Sequence, residues 1–204
     1  MLAMTCLVAA GSPALGYDIQ VLVKDQTGRP VEAAIVWAEE PRDKNPPTPV
    51  QAEILQKNLQ FIPAVTVIPV GSAVRFPNRD TVQHHVYSFS SAKTFDIPLY
   101  IGDSPRTIQF DRPGIVTLGC NIHDWMAAYI VVLDTEIFAQ TDSRGIARLR
   151  DLPAEATIYA WYPRLRGDPV ATKTRSGQSF VEVAMKLRPA FLRTPPDNMG
   201  GGYR

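Results

Sequence analysis

The chain has 204 residues, and its 21 Lys and Arg against 20 Asp and Glu leave a formal net charge of +1. No basic cluster stands out, which argues against nucleic acid as a partner. Its cysteines are Cys6 and Cys120 alone, so removal of the N-terminal stretch would leave one thiol and no intramolecular disulfide framework.

The chain opens with MLAMTCLVAAGSPALG, residues 1–16, which is uncharged and ends in the small-x-small pattern Ala14-Leu15-Gly16. It lacks a basic n-region but otherwise reads as a signal peptide, which predicts export and a periplasmic location. Short β-patterned runs follow. Ile19, Val21 and Val23 alternate with polar or outward positions ahead of the turn DQTGRP, and VEAAIVWA forms a second expected strand. EEPRDKNPPTPV, residues 39–50, is proline-rich and polar and reads as a linker. Further strands are expected at AVTVIPV, SAVRF, HHVYSF, RTIQF, GIVTLGC, AAYIVVL, ATIYAWY and FVEVAMKL, with turns at PVGS, NRD, DRPG and TDSRG. No long stretch has a 3.6-residue period, so the fold class expected is all-β, built of sandwiches. The longest apolar run, AAYIVVL, is far short of the about 20 residues of a membrane-spanning helix. The end of the chain, 191–204, reads as a disordered tail.

All unusual residue types fall between the linker and Asp134. Histidine occurs only as His84, His85 and His123, and GCNIHDWM places Cys120, His123 and Met126 within seven positions. Taken alone, C-x2-H-x2-M is a weak motif, and a core cysteine beside an unrelated histidine is the plainer reading. Confinement of every histidine to HH and to this loop reverses that balance. Val116, Leu118 and Cys120 share one face by period two, so the thiol is expected to point inward. Two imidazoles and a thiolate in a plane, with a long axial thioether, make a blue-copper electron-transfer site. The remaining imidazole must come from the His84–His85 pair. Zinc prefers four strong tetrahedral ligands and has little use for methionine. A Cys-His nucleophilic dyad would leave Met126 and the HH pair unexplained.

FPNRDTVQHHVYSFS followed by FDRPGIVTLGCNIHDWMAAYIVV resembles the cupredoxins, in particular their plastocyanin- and amicyanin-like members and the methylamine utilisation proteins. The resemblance covers residues 51–134 and implies a Greek-key β-sandwich with one type 1 copper alternating between Cu(I) and Cu(II). It implies His84, Cys120, His123 and Met126 as ligands, with His84 chosen over His85 because it stands four residues after Asp80. It also implies supporting roles for His85 and Asn121 around the ligands, where the family usually has asparagine and Ser or Thr. The flanks, VLVKDQTGRPVEAAIVWA and FAQTDSRGIARLRDLPAEATIYAWYPRL, resemble a smaller transthyretin-like or carboxypeptidase-regulatory-like β-sandwich. The glycine usual after Leu-Pro is replaced there by Ala154-Glu155-Ala156. Residues 17–48 and 135–190 are thus expected to fold together as a split sandwich around the copper domain.

These features predict a periplasmic carrier of single electrons between redox protein partners, such as a dehydrogenase or a cytochrome c. A catalytic copper oxidase would need further histidines, so the chain is not expected to be an enzyme. The alternatives are a copper carrier or chaperone using the same ligands, and a metal-free β-sandwich binding module.

Overall fold

The structure, a computed structural model, describes residues 16–39, 46–103 and 105–190. The expected tail at 191–204 and the expected signal peptide at 1–16, Gly16 excepted, lie outside the described residues. The described residues form strands without a helix, so the chain is all-β. The first strands are β1 (Tyr17–Asp25), β2 (Ile35–Ala38), β3 (Gln51–Glu53), β4 (Leu55–Gln56), β5 (Phe61–Ile62) and β6 (Val65–Pro69). Next come β7 (Ser72–Arg75), β8 (His84–Ser90), β9 (Lys93–Tyr100), β10 (Ile108–Phe110), β11 (Gly114–Gly119) and β12 (Ala127–Leu133). The last are β13 (Phe138–Gln140), β14 (Ile146–Leu152), β15 (Glu155–Trp161), β16 (Val170–Arg175) and β17 (Phe180–Met185).

They assemble into sheets ordered β14-β1-β17, β13-β2-β15-β16, β10-β7-β3 and β6-β12-β11-β8-β9, with β4-β5 as a separate hairpin. Two apolar clusters lie among them. One joins Ile19, Val21 and Val23 of β1 to Val36 of β2, Leu149 of β14, Ile158 of β15 and Val183 of β17. The other joins Val74 and Phe76 to Val86, Ile97, Phe110, Val116, Leu118 and Ile130. Alternation explains most of this, because residues two apart on a strand share a face and bury together.

Strand β12 departs from simple alternation. Ile130 and Val132 enter the second cluster, whereas Val131 and Leu133 enter the first. Both faces of the strand are therefore covered, which is why YIVVL reads as a continuous apolar run rather than an alternating one. Val65, Val67, Ile115 and Tyr129 also pack against the first cluster, and the rings of Tyr129 and Trp161 meet edge-on at 5.3 Å. The sheet that carries the unusual loop is thus braced from behind by the other half of the molecule. The linker reads differently from a free tether at its end. Pro47 is buried, and Val50 donates its N–H to Ser72 Oγ at 2.9 Å.

Trp161→Ala should destabilise the protein by about 3–5 kcal/mol, since it empties a large buried site. Because that site backs the shared sheet, thermal unfolding should remain one transition at a lower midpoint. Two separated transitions by calorimetry would show that the halves do not depend on each other.

Candidate metal centre

Strand β8 has an alternating burial pattern in which His84, Val86 and Ser88 face inward while His85, Tyr87 and Phe89 face outward. A register shift opposite β9 separates the pairs His84↔Tyr100 and Val86↔Ile97, but it leaves His84 and His85 on opposite faces. From β11, Val116 and Leu118 point into the same core, and Cys120 continues that face one step beyond the strand end. The pair Gly119↔Ala127 then closes the loop 120–126 at its base. Within it, the Met126 N–H donates to the His123 carbonyl at 2.9 Å, which turns the loop back and brings both side chains inward.

Burial is deep for groups of this polarity: His84 is 0%, Met126 2%, Cys120 3% and His123 9% exposed. Buried polar groups need partners, and these face one another. The His84 Nδ1, His123 Nδ1 and Cys120 Sγ atoms stand 3.1, 3.6 and 4.0 Å apart, so one point lies about 2.1 Å from all three, close to the roughly 2.0–2.3 Å at which imidazole and thiolate bind a transition ion. Their positions suit a single ion held by two nitrogens and one sulfur.

The charge environment favours the ligand forms at Cys120 and His123 but holds a proton on His84. Burial pushes the Cys120 thiol up, but hydrogen bonding from His84, the backbone N–H groups of His85 and Ile122, and the His84 charge outweigh it and lower the pKa below 9.0. Burial and the neighbouring His84 charge lower His123 below 6.5, which keeps its imidazole neutral. Burial would lower His84 too, but Cys120 and Asp80 together raise it above 6.5. Thiolate and neutral imidazole are the states a metal requires.

The surrounding groups differ in part from expectation. The His85 ring lies on the outer face, where Nε2 meets Asp96 Oδ1 at 3.0 Å and the ring neighbours Tyr87. Its link to the site is its backbone N–H, not its imidazole. Asn121 is exposed. The orienting side chains are instead Asp80, whose Oδ2 meets His84 Nε2 at 2.8 Å, and Asn78. Asn78 is buried and donates Nδ2 to the carbonyls of Val82 and Tyr100, while its Oδ1 accepts the Asp80 N–H, so it shapes the approach to His84. The spacing of Asp80 four residues before His84 was the available signal for the contact. Trp125, half-buried, lies 5.4 Å from the His123 ring and donates Nε1 to the Leu59 carbonyl. Gly119 admits the Tyr87 ring: a Cβ there would come within 2.8 Å of it.

An all-β protein with a buried His2Cys triangle is therefore the class that fold and site define. No protein-family model matches the chain, and no curated protein matches it. Parts of the chain are similar to solved structures. A purple cupredoxin from Nitrosopumilus maritimus is 23% identical at a TM-score of 0.36, over 40% of this chain and 99% of that one. A reduced tryptophan-to-tyrosine mutant of amicyanin is 18% identical at 0.37, over 40% of this chain and 80% of that one. A Cu-containing nitrite reductase (NirK) from Thermus scotoductus SA-01 is 22% identical at 0.39, over 55% of this chain and 28% of that one.

The raised pKa of His84 has a sign that can be measured. A raised value means that the ring still carries a proton above pH 6.5, and a metal must expel it. Metal affinity should therefore climb as pH rises through and above 6.5 and fall below it. Titrations with a competing chelator at several pH values read this directly, and a flat profile would exclude His84 from the donor set.

Proposed function

We propose that this protein is a type 1 copper protein that carries single electrons between redox partners in the periplasm. The observation that supports this reading most is the convergence of His84 Nδ1, His123 Nδ1 and Cys120 Sγ on one point inside an apolar core. His84, Cys120 and His123 would hold the ion through two imidazoles and a thiolate, and Met126, buried in the same cluster, would offer its thioether as a weaker fourth donor. Copper bound there would supply the one-electron chemistry by alternating between Cu(I) and Cu(II).

The chain's own contribution is to hold the donors still. Cys120 directly follows the end of a paired strand and His84 begins one, so both are restrained against a change in preferred geometry at the metal. Ligands that barely move keep the reorganisation small and exchange fast. The surrounding apolar side chains exclude water and raise the strength of every electrostatic contact inside. His123 is the most open of the donors, and Ile122 beside it and Val82 near His84 expose apolar side chains at 49% and 38%. We read this rim as the docking face for a redox partner, a dehydrogenase or a cytochrome c, with His123 as the electron exit. We also read the chain as a copper domain, 51–134, carried on a split sandwich of 17–48 and 135–190. The two core clusters support that division. The deep burial of the donors favours an electron carrier over a chaperone, which must expose its metal to pass it on. We read the chain as a carrier rather than an enzyme, since His84 and His123 are taken up by this one site and His85 alone is left for any further centre.

Adding Cu(II) to the purified protein should produce an intense thiolate band in the visible spectrum. Cys120→Ala should abolish it, because no other thiol is at the site. Tight copper binding without that band would favour the carrier reading instead. His84→Ala should lose the band, whereas His85→Ala should keep it with the metal bound. The reverse pattern would move the ligand by one residue. Met126→Gln should bind copper at a lower reduction potential, since an amide oxygen favours the harder Cu(II). An unchanged potential would make Met126 a core side chain only.

A further inference from the structure

The hairpin β4–β5 has a tight turn at Asn58 and Leu59, closed by mutual backbone hydrogen bonds between Lys57 and Gln60. Both central residues have positive φ, 55° and 56°. Two-residue hairpin turns of this kind favour glycine at such positions, and a bulky leucine there is strained. Strain of this sort persists where surrounding contacts hold it, and it points to a role for the segment. The contacts are specific. The N–H of Asn58 donates to Asp80 Oδ1 at 2.6 Å and that of Leu59 to Asp80 Oδ2 at 2.9 Å. The same Oδ2 meets His84 Nε2 at 2.8 Å. The carbonyl of Leu59 accepts the Trp125 Nε1–H at 3.2 Å, and the Trp125 ring neighbours His123. One strained turn thus touches the supports of both imidazoles, although it lies far from them in sequence.

We propose that Asp80, seated in the Asn58–Leu59 turn, is a positioning residue that fixes His84 through Nε2 and biases a metal at Nδ1 toward its higher oxidation state. This rests on the copper reading above. A carboxylate that accepts the Nε2–H leaves Nδ1 as the bare donor, which settles the tautomer. It also makes the ring a stronger donor, and a stronger donor stabilises Cu(II) more than Cu(I). The turn matters because a carboxylate holding two amide donors cannot swing away from the ring.

The test uses Asp80→Asn, Asp80→Ala and the unaltered full chain. Asparagine can still accept from Leu59 and His84 while losing the charge and the Asn58 contact. With copper bound, Asp80→Asn should keep the visible band and shift the Cu(I) over Cu(II) preference about tenfold toward Cu(I), equal to about 59 mV for one electron. Asp80→Ala should in addition weaken copper binding by roughly 10–100-fold. A merely structural residue would change the melting temperature and leave the potential in place. A second readout needs no copper. Nitrogen-15 NMR of the metal-free protein, at a pH high enough for the His84 ring to be neutral, should show its one ring proton on Nε2, and Asp80→Ala should redistribute it between the two nitrogens. An unmoved potential in Asp80→Asn, or a metal-free His84 ring protonated on Nδ1 alone, overturns the proposal. Absence of copper binding by the unaltered protein would instead overturn the electron-carrier reading, and the NMR result would still decide the role of Asp80.

Discussion

Three polar side-chain atoms meet in the interior of this molecule, and they are too close for neighbouring apolar groups to fill the space between them. A buried thiol or imidazole left without partners carries a desolvation cost of a few kcal/mol. Here each is within 4.0 Å of the other two, and the cost falls on one shared point. The rest of the structure serves that constraint. Two strands from different parts of the chain must run side by side with His84 and Cys120 facing the same core. The loop after Cys120 must also reverse within seven residues.

Rigidity at the site comes from two directions. Inside the half that carries the His84–Cys120–His123 cluster, Asn78 fixes the approach to His84, and Asp80 holds its far nitrogen. From behind, the other half of the chain packs against β12 through Val131, Leu133 and Tyr129. The flanking strands are therefore more than a tether. They cover a sheet face that would otherwise expose valines and an isoleucine to water.

Much of this was legible in the residue order. The strands β8, β11, β12, β15 and β17 have period-two patterns or dense apolar runs, and they form where those patterns lie. Others were not legible. Strand β9 contains Pro98, which removes a ladder donor and hides the strand, but β9 lies at the edge of its sheet, where proline is tolerated. The run VEAAIVWA forms a strand only from Ile35 on. Ala33 takes a left-handed backbone, and the Thr141 hydroxyl, bonded to the Ala34 N–H and the Val31 carbonyl, bends the chain there. Nothing local in the sequence announces a hydroxyl arriving from more than a hundred residues away.

The sequence by itself determined which residue types could meet: the Cys120 thiol, three imidazoles in two short segments, and a methionine three residues beyond His123. Period two also determined that neighbouring histidines on one strand must point to opposite faces. Only the tertiary structure decided which groups surround the donors. His85 turns outward to Asp96, Asn121 sits in solvent, and the support for His84 comes from Asp80 and a turn at Asn58 and Leu59. The physical reason is range. Alternation and composition act between neighbours on one strand, whereas a hydrogen bond from a hairpin some twenty residues upstream exists only after the sheets have packed.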